Sequence, residues 1–158
     1  MAIELADFEL LSRWRSTFPK GSKCAILGDC SFYSGGDFNQ LKAKLKFDLV
    51  DTFDINGSPT YKLDLNEPLP EKFSSKYDWV IDSGTLYCCF DIKQAWENIL
   101  GLLKDEGHVF HTSNLSGFFG RGFYSLSPAL FRDFYHVNNF NIHGMGTRTR
   151  IAGWKEID

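Results

Sequence analysis

The residues able to do chemistry in this chain stand mostly at the ends of short apolar runs. Asp54 closes the run Asp48–Ile55 (DLVDTFDI), with Asp51 three residues before it, and Asp64 closes Tyr61–Asp64 (YKLD). A carboxylate at the tip of a second strand can accept hydrogen bonds from both hydroxyls of a ribose. For Asp54 alone, a solvated strand end is the competing reading. Lys23–Gly28 (KCAILG) runs directly into a glycine-containing loop, Gly28 to Gly36. Such a loop after a first strand is the nucleotide-facing corner of an open α/β sheet, yet the spacing is not GxGxxG, which argues against a nicotinamide cofactor. Cys24, Cys30, Cys88 and Cys89 have no CxxC spacing, and His108 and His111 stand three apart on a strand, facing opposite ways. No metal site is expected, and free cysteines suit a reducing, cytoplasmic compartment.

The elements that must hold these residues are legible around Tyr77–Asn114. Trp79, Val80 and Ile81 make a buried strand closed by Asp82-Ser83-Gly84. Asp91 caps a helix whose stripe is Ile92, Ala95, Trp96, Ile99, Leu100 and Leu103, with Lys104 in its last turn and Gly107 as a left-handed stop. His108–Thr112 returns as a strand. Strand, one-sided helix and strand with short links form a βαβ unit and imply a parallel sheet. Ahead of it lie a leading helix over residues 2–18, a helix carrying Phe38, Leu41 and Leu45, and the strands ending at Gly28, Asp54 and Asp64, which share one carboxyl edge. Behind it, Ser127-Pro128 opens a helix with Leu130, Phe131, Phe134 and Tyr135 on its buried side. Phe140–His143 and Arg150–Ile157 alternate as a closing hairpin around Gly144-Met145-Gly146.

A chain of 158 residues, 43% hydrophobic and 23% charged, fits one ordinary globular domain, 1–158. Its net charge of −3, without a basic stripe, argues against a nucleic-acid partner. No run approaches the roughly 20 apolar residues of a membrane span.

The order LGDC, FDI, DLNEPLP, YDWVIDSGTLYCCFD, helix and LKDEGHVFH resembles the class I S-adenosylmethionine-dependent methyltransferases over about residues 23–144. Asp64–Pro70 is similar to that family's D-L-N-x-P-L-P phrase, Tyr77–Cys88 to Y-D-x-V-I-D-x-G-T-L-E-H, and Leu103–Gly107 to L-K-P-G-G. The stretch Gly122–Phe131 (GFYSLSPALF) resembles a G-F-Y-x-x-S-P-x-L-F phrase of a small subgroup linked to glycan or cell-surface biosynthesis. The resemblance implies an α/β fold, a Rossmann-like three-layer sandwich with a mostly parallel seven-stranded sheet and an antiparallel last strand. It also implies S-adenosylmethionine as cofactor and O-methylation of a sugar or small-metabolite hydroxyl as the reaction.

Carried over residue by residue, the resemblance places Gly28 and Asp29 at the methionine part of the cofactor, Asp54 at its ribose, Asp64 and Leu65 at its adenine, and Asp82, Ser83 and Gly84 beside the reactive methyl. His111, at the carboxyl end of strand five, is the candidate general base, because an imidazole titrates near neutrality. A histidine packed under Phe118-Phe119 is the competing reading. Tyr87, Tyr124 and Arg121 are expected to line the acceptor site, and Asn114 opens the loop above it. The chain departs from the pattern at Cys30 and Phe32, where the family has glycine, and at Tyr87-Cys88, where it has an acid and a histidine. These departures leave open a second expectation, a non-catalytic relative that binds a nucleoside or a protein partner. So short a chain also leaves room for a second subunit or a partner to complete the acceptor site.

Overall fold

The computed structural model describes residues 2–19, 21–29, 31–32, 38–117, 119–149 and 153–157. Five strands form one sheet: β1 (Lys23–Leu27), β2 (Leu49–Asp54), β3 (Tyr61–Lys62), β4 (Tyr77–Ser83) and β5 (Leu103–Thr112). All neighbours are parallel, in the order β3-β2-β1-β4-β5. The chain builds outward from β1 through β2 to β3, then crosses back to place β4 on the other side of β1. Strand order therefore reverses between β1 and β4, which makes that gap the topological switch point of an open α/β sheet.

Four helices cover both faces: α1 (Leu5–Thr17), α2 (Phe38–Leu45), α3 (Ile92–Leu102) and α4 (Pro128–Val137). The twofold alternation of a strand divides the core. Cys24, Ile26, Trp79 and Ile81 pack against Leu11 of α1 and against Leu41 and Leu45 of α2. Ala25, Leu27 and Val80 face the other way, onto Ala95, Trp96, Ile99 and Leu102 of α3 and Tyr135 of α4. Helix α3 begins as its residues dictate, with the Asp91 carboxylate accepting the Gln94 N–H at 3.0 Å. In α4, Ser127 Oγ accepts the Leu130 N–H at 3.3 Å ahead of Pro128. Among the described residues no helix is long and apolar enough to cross a membrane.

Several expectations are corrected. Among the described residues the sheet has five strands, not seven. The closing hairpin, β6 (Gly146–Thr149) with β7 (Gly153–Glu156), is an antiparallel pair separate from it. Its first strand is held elsewhere, by Arg148 on Glu4 at 2.6 Å and on Asp7 at 3.5 Å beside the start of α1. Phe140–His143 is not a strand: Asn139 takes a left-handed φ of 61° and the Phe140 N–H closes back onto Tyr135 O at 2.9 Å. Arg150 lies outside the described residues. Helix α3 stops at Leu102, so Lys104 belongs to β5, where it pairs with Asp78 at 2.8 Å. The left-handed residue of that stretch is Glu106, φ 61°, and not Gly107. Gly107 is required for space, because a Cβ there would stand 2.9 Å from Lys104 O and 3.3 Å from Asp78 O.

Candidate functional site at the carboxyl edge

The register of the sheet brings Gly28, Asp54 and Asp64 to one rim. Leu27 pairs with Phe53, and Asp54 with Lys62 two residues before Asp64. Gly28 turns there with a φ of 96°, a conformation that favours glycine, and its N–H donates to Phe53 O at 2.7 Å. The Asp54 carboxylate is set by two main-chain amides, Asp29 N–H on Oδ2 at 2.6 Å and Asn56 N–H on Oδ1 at 2.9 Å. Asp29 in turn accepts the Ser58 N–H at 2.9 Å, and Gly57 lies so close to its carboxylate that a side chain there would overlap it. Asp64 Oδ1 accepts from both nitrogens of Asn66, at 2.9 and 2.7 Å, while Asn66 Oδ1 takes the Asp91 N–H that opens α3.

Buried Leu65 is held by a residue the periodic reading passes over. Asn98, 1% exposed, donates to Leu65 O at 3.0 Å and Glu67 O at 2.8 Å and accepts the Leu69 N–H at 3.0 Å. One amide thus satisfies the main chain of the Leu65–Leu69 loop, which its prolines leave without strand partners. The signal in the sequence is only a polar residue beside an apolar helical stripe.

The second half of the site is built on β4 and β5. Asp82 is fully buried, and its Oδ1 accepts the N–H groups of Thr85 at 2.7 Å and Leu86 at 3.1 Å. Its other oxygen lies 2.9 Å from His111 Nδ1. His111 Nε2 lies 2.6 Å from the hydroxyl of Tyr135, which also accepts from Trp96 Nε1 at 3.3 Å. A neutral imidazole carrying its proton on Nδ1 satisfies the whole row: Trp96 donates to Tyr135, Tyr135 to His111, and His111 to Asp82. Burial holds the Tyr135 phenol well above its ordinary range, so it stays protonated and acts as donor. Asp82 therefore spends its carboxylate on the turn and on His111, and His111 packs against Tyr135, Trp96 and Phe131. Phe118 lies outside the described residues. Tyr135 escaped the sequence reading because its spacing marked it only as core.

Ser83, Gly84, Tyr87, His111, Asn114 and Arg121 line a cleft of about 1440 Å³ that runs along β5 and under the 139–148 segment. Gly84 turns with a φ of 93°, and Thr85 Oγ1 bonds Leu27 O at 2.8 Å, stitching the two loops that flank the switch point. Tyr87 is buried, its phenol pushed up by that burial, and its carbonyl accepts the Phe123 N–H at 2.8 Å. Tyr124 spends its hydroxyl on Phe90 O at 2.7 Å and braces a loop. Among the described residues two buried side-chain oxygens lack a partner, Ser113 Oγ and Asn114 Oδ1, and both residues line the cleft. Cys30 and the side chain of Phe32 lie outside the described residues. No protein-family model matches the sequence, and no curated protein matches it.

Proposed function

We propose that this chain is an S-adenosylmethionine-dependent methyltransferase of Rossmann-like design, acting on a hydroxyl of a sugar or similar small molecule. The observation that carries the reading is the convergence of Gly28, Asp54 and Asp64 on one carboxyl rim of the sheet, with acceptor capacity to spare. An ionised carboxylate has about four lone-pair sites. Asp54 gives one site on each oxygen to a main-chain amide and keeps the others for ribose hydroxyls. Asp64 Oδ2 has no hydrogen-bond partner among the described residues, and with Leu65 it would border the adenine.

When bound, S-adenosylmethionine supplies a methyl group on an already electrophilic sulfonium, which leaves the protein the tasks of position and proton removal. The left-handed turn at Gly28 would admit the methionine part close to the main chain, beside Asp29. Ser83 and Gly84 join the rim to the cleft, where an acceptor would lie against Tyr87, Asn114 and Arg121. The unpaired oxygens of Ser113 and Asn114 suit an acceptor rich in hydrogen-bond donors. His111 would take the acceptor's proton on Nε2 once the Tyr135 hydroxyl gives way, and Asp82 would stabilise the resulting imidazolium.

One observation favours a second reading, a non-catalytic relative that binds a nucleoside or a protein partner: both nitrogens of His111 are already bonded within the fold. Titration calorimetry with S-adenosylmethionine, S-adenosylhomocysteine and NAD separates these readings. The first expects S-adenosylhomocysteine to bind in the micromolar range, NAD not to bind, and Asp54→Ala to abolish binding. Absence of any nucleoside binding would overturn the first reading and favour the second.

A further inference from the structure

Two histidines outside the proposed chemistry meet at the far side of the cleft. His108, on β5, faces away from His111 and packs on Trp79, ring centroids 4.8 Å apart, and on Phe18, which caps the end of α1, at 5.0 Å. His143, on the segment after α4, covers the same Phe18 at 4.3 Å and lies 6.5 Å from Trp14. The two imidazoles are 5.9 Å apart. The next residue, Gly144, seats so closely on Trp14 that a Cβ would stand 2.6 Å from its ring. Farther along, Arg148 is tied to Glu4 and Asp7. Residues 139–148 thus cross the free edge of β5 as a strap anchored on α1, and the cleft lies between strap and strand.

We propose that this strap is a pH-responsive cover of the cleft, latched at neutral pH by the tilted ring contacts of His108, Phe18 and His143 and released when the two imidazoles become cations. The charged groups around the latch favour that direction. Burial, His143 and the Arg15 guanidinium of α1 all hold His108 below its ordinary value, and Glu106 of β5 is the one opposing influence on it. Burial lowers the Arg15 guanidinium itself, against the opposing influence of Cys24 of β1, Asp78 of β4 and Asp48, and it already lies over the Trp79 ring, 5.8 Å from the centroid. A protonated His108 would therefore share its aromatic face with one cation and its edge with another. Of the two imidazoles only His143 sits on a segment free of the main sheet, so relief comes from the strap lifting. The contacts of Arg148 with Glu4 and Asp7 serve the strap as its hinge, burial raising the Asp7 carboxyl and the Arg148 guanidinium opposing that rise.

The proposal does not depend on what the cleft binds, and its test uses the unliganded full chain. Amide hydrogen exchange of residues 139–148, corrected for the intrinsic pH dependence of exchange, is compared at pH 7.5 and pH 5.0. The wild-type strap is expected to open several-fold more at the lower pH, while β1 and β4, which exchange on global unfolding, lose far less protection. His143→Phe keeps a ring on Phe18 and cannot be protonated, so its strap should exchange equally at both values. His108→Phe should behave likewise and serves as the second variant should the first lose its fold by circular dichroism. Equal strap protection at both pH values in the wild type, or an acid-induced opening that persists in both variants, would overturn the proposal.

Discussion

Arg15 and Asn98 show how much of the site's support rests on single polar side chains placed among apolar ones. The Arg15 guanidinium donates to Gly21 O at 2.7 Å, Phe18 O at 2.9 Å, Leu45 O at 3.1 Å and Lys46 O at 3.2 Å, and it lies 4.7 Å over the Phe47 ring. It thereby satisfies carbonyls at the ends of both helices that cover one face of the sheet, which otherwise have no intrahelical partner. Arg15→Ala leaves those carbonyls buried and unpaired, and the expected loss is about 3 kcal/mol or more of unfolding free energy, read as a lower urea midpoint at unchanged slope. Arg15→Lys should recover little of it, because an ammonium cannot reproduce a planar fork of donors. Asn98→Ala removes three hydrogen bonds to the Leu65–Leu69 loop, with an expected cost of about 2 kcal/mol. Under the proposed function it also weakens S-adenosylhomocysteine binding, because Leu65 and Asp64 lose their brace. Neither residue announces itself in the sequence, since a buried polar group is recognised by the carbonyls it meets and those come from distant segments.

At the scale of elements, the crossing from α3 to β5 separates two reasons for a glycine-like position. Glu106 carries the left-handed φ and Gly107 the steric restriction, although Gly107 is the residue a helix-stop pattern points to. Glu106→Gly is therefore expected to be neutral or stabilising by up to about 1 kcal/mol, relief of left-handed strain being offset by added freedom in the unfolded chain. Gly107→Ala is expected to cost about 1–3 kcal/mol, because a methyl group would press on the main-chain carbonyl of Lys104. Thermal denaturation of the two variants decides the assignment, and the opposite ranking would refute it. Strands and helices were legible where one periodicity ran unbroken, as in β1, β4 and α3. Boundaries slipped where a contact distant in sequence intervened, as Lys104 is drawn into β5 by Asp78. The closing hairpin slipped as well: alternation marked Phe140–His143 and Arg150–Ile157, whereas the paired strands are Gly146–Thr149 and Gly153–Glu156, with Arg148 of the first tied to Glu4 and Asp7 far away in sequence.

For the whole molecule, the parallel order and its switch point follow from the βαβ unit and from strand ends that carry acids. The rim of Gly28, Asp54 and Asp64 was accordingly visible before any coordinates. The two-sided role of β5 was visible only in outline, because opposite-facing histidines do not reveal that one joins Asp82 and Tyr135 and the other joins Phe18 and His143. That division governs how stability responds to acid. His108 lies below its ordinary value in the folded protein, so between the unfolded value near 6.5 and the lower folded one the unfolded chain binds more protons. Stability must fall as pH drops through that window. Asp78 acts at lower pH: burial alone would raise its carboxyl, but the Lys104 ammonium and the N–H groups of Lys23 and Ser22 outweigh it and leave the group below its ordinary value. Its contribution is fully present above the unfolded carboxylate value and is lost as pH falls through the folded one. Urea midpoints from pH 7.5 to 3 should therefore show two descending steps. His108→Phe should flatten the upper step alone, whereas Asp78→Asn should lower the neutral plateau and flatten the lower step. A single step that both variants leave unchanged would mean that neither group is linked to folding.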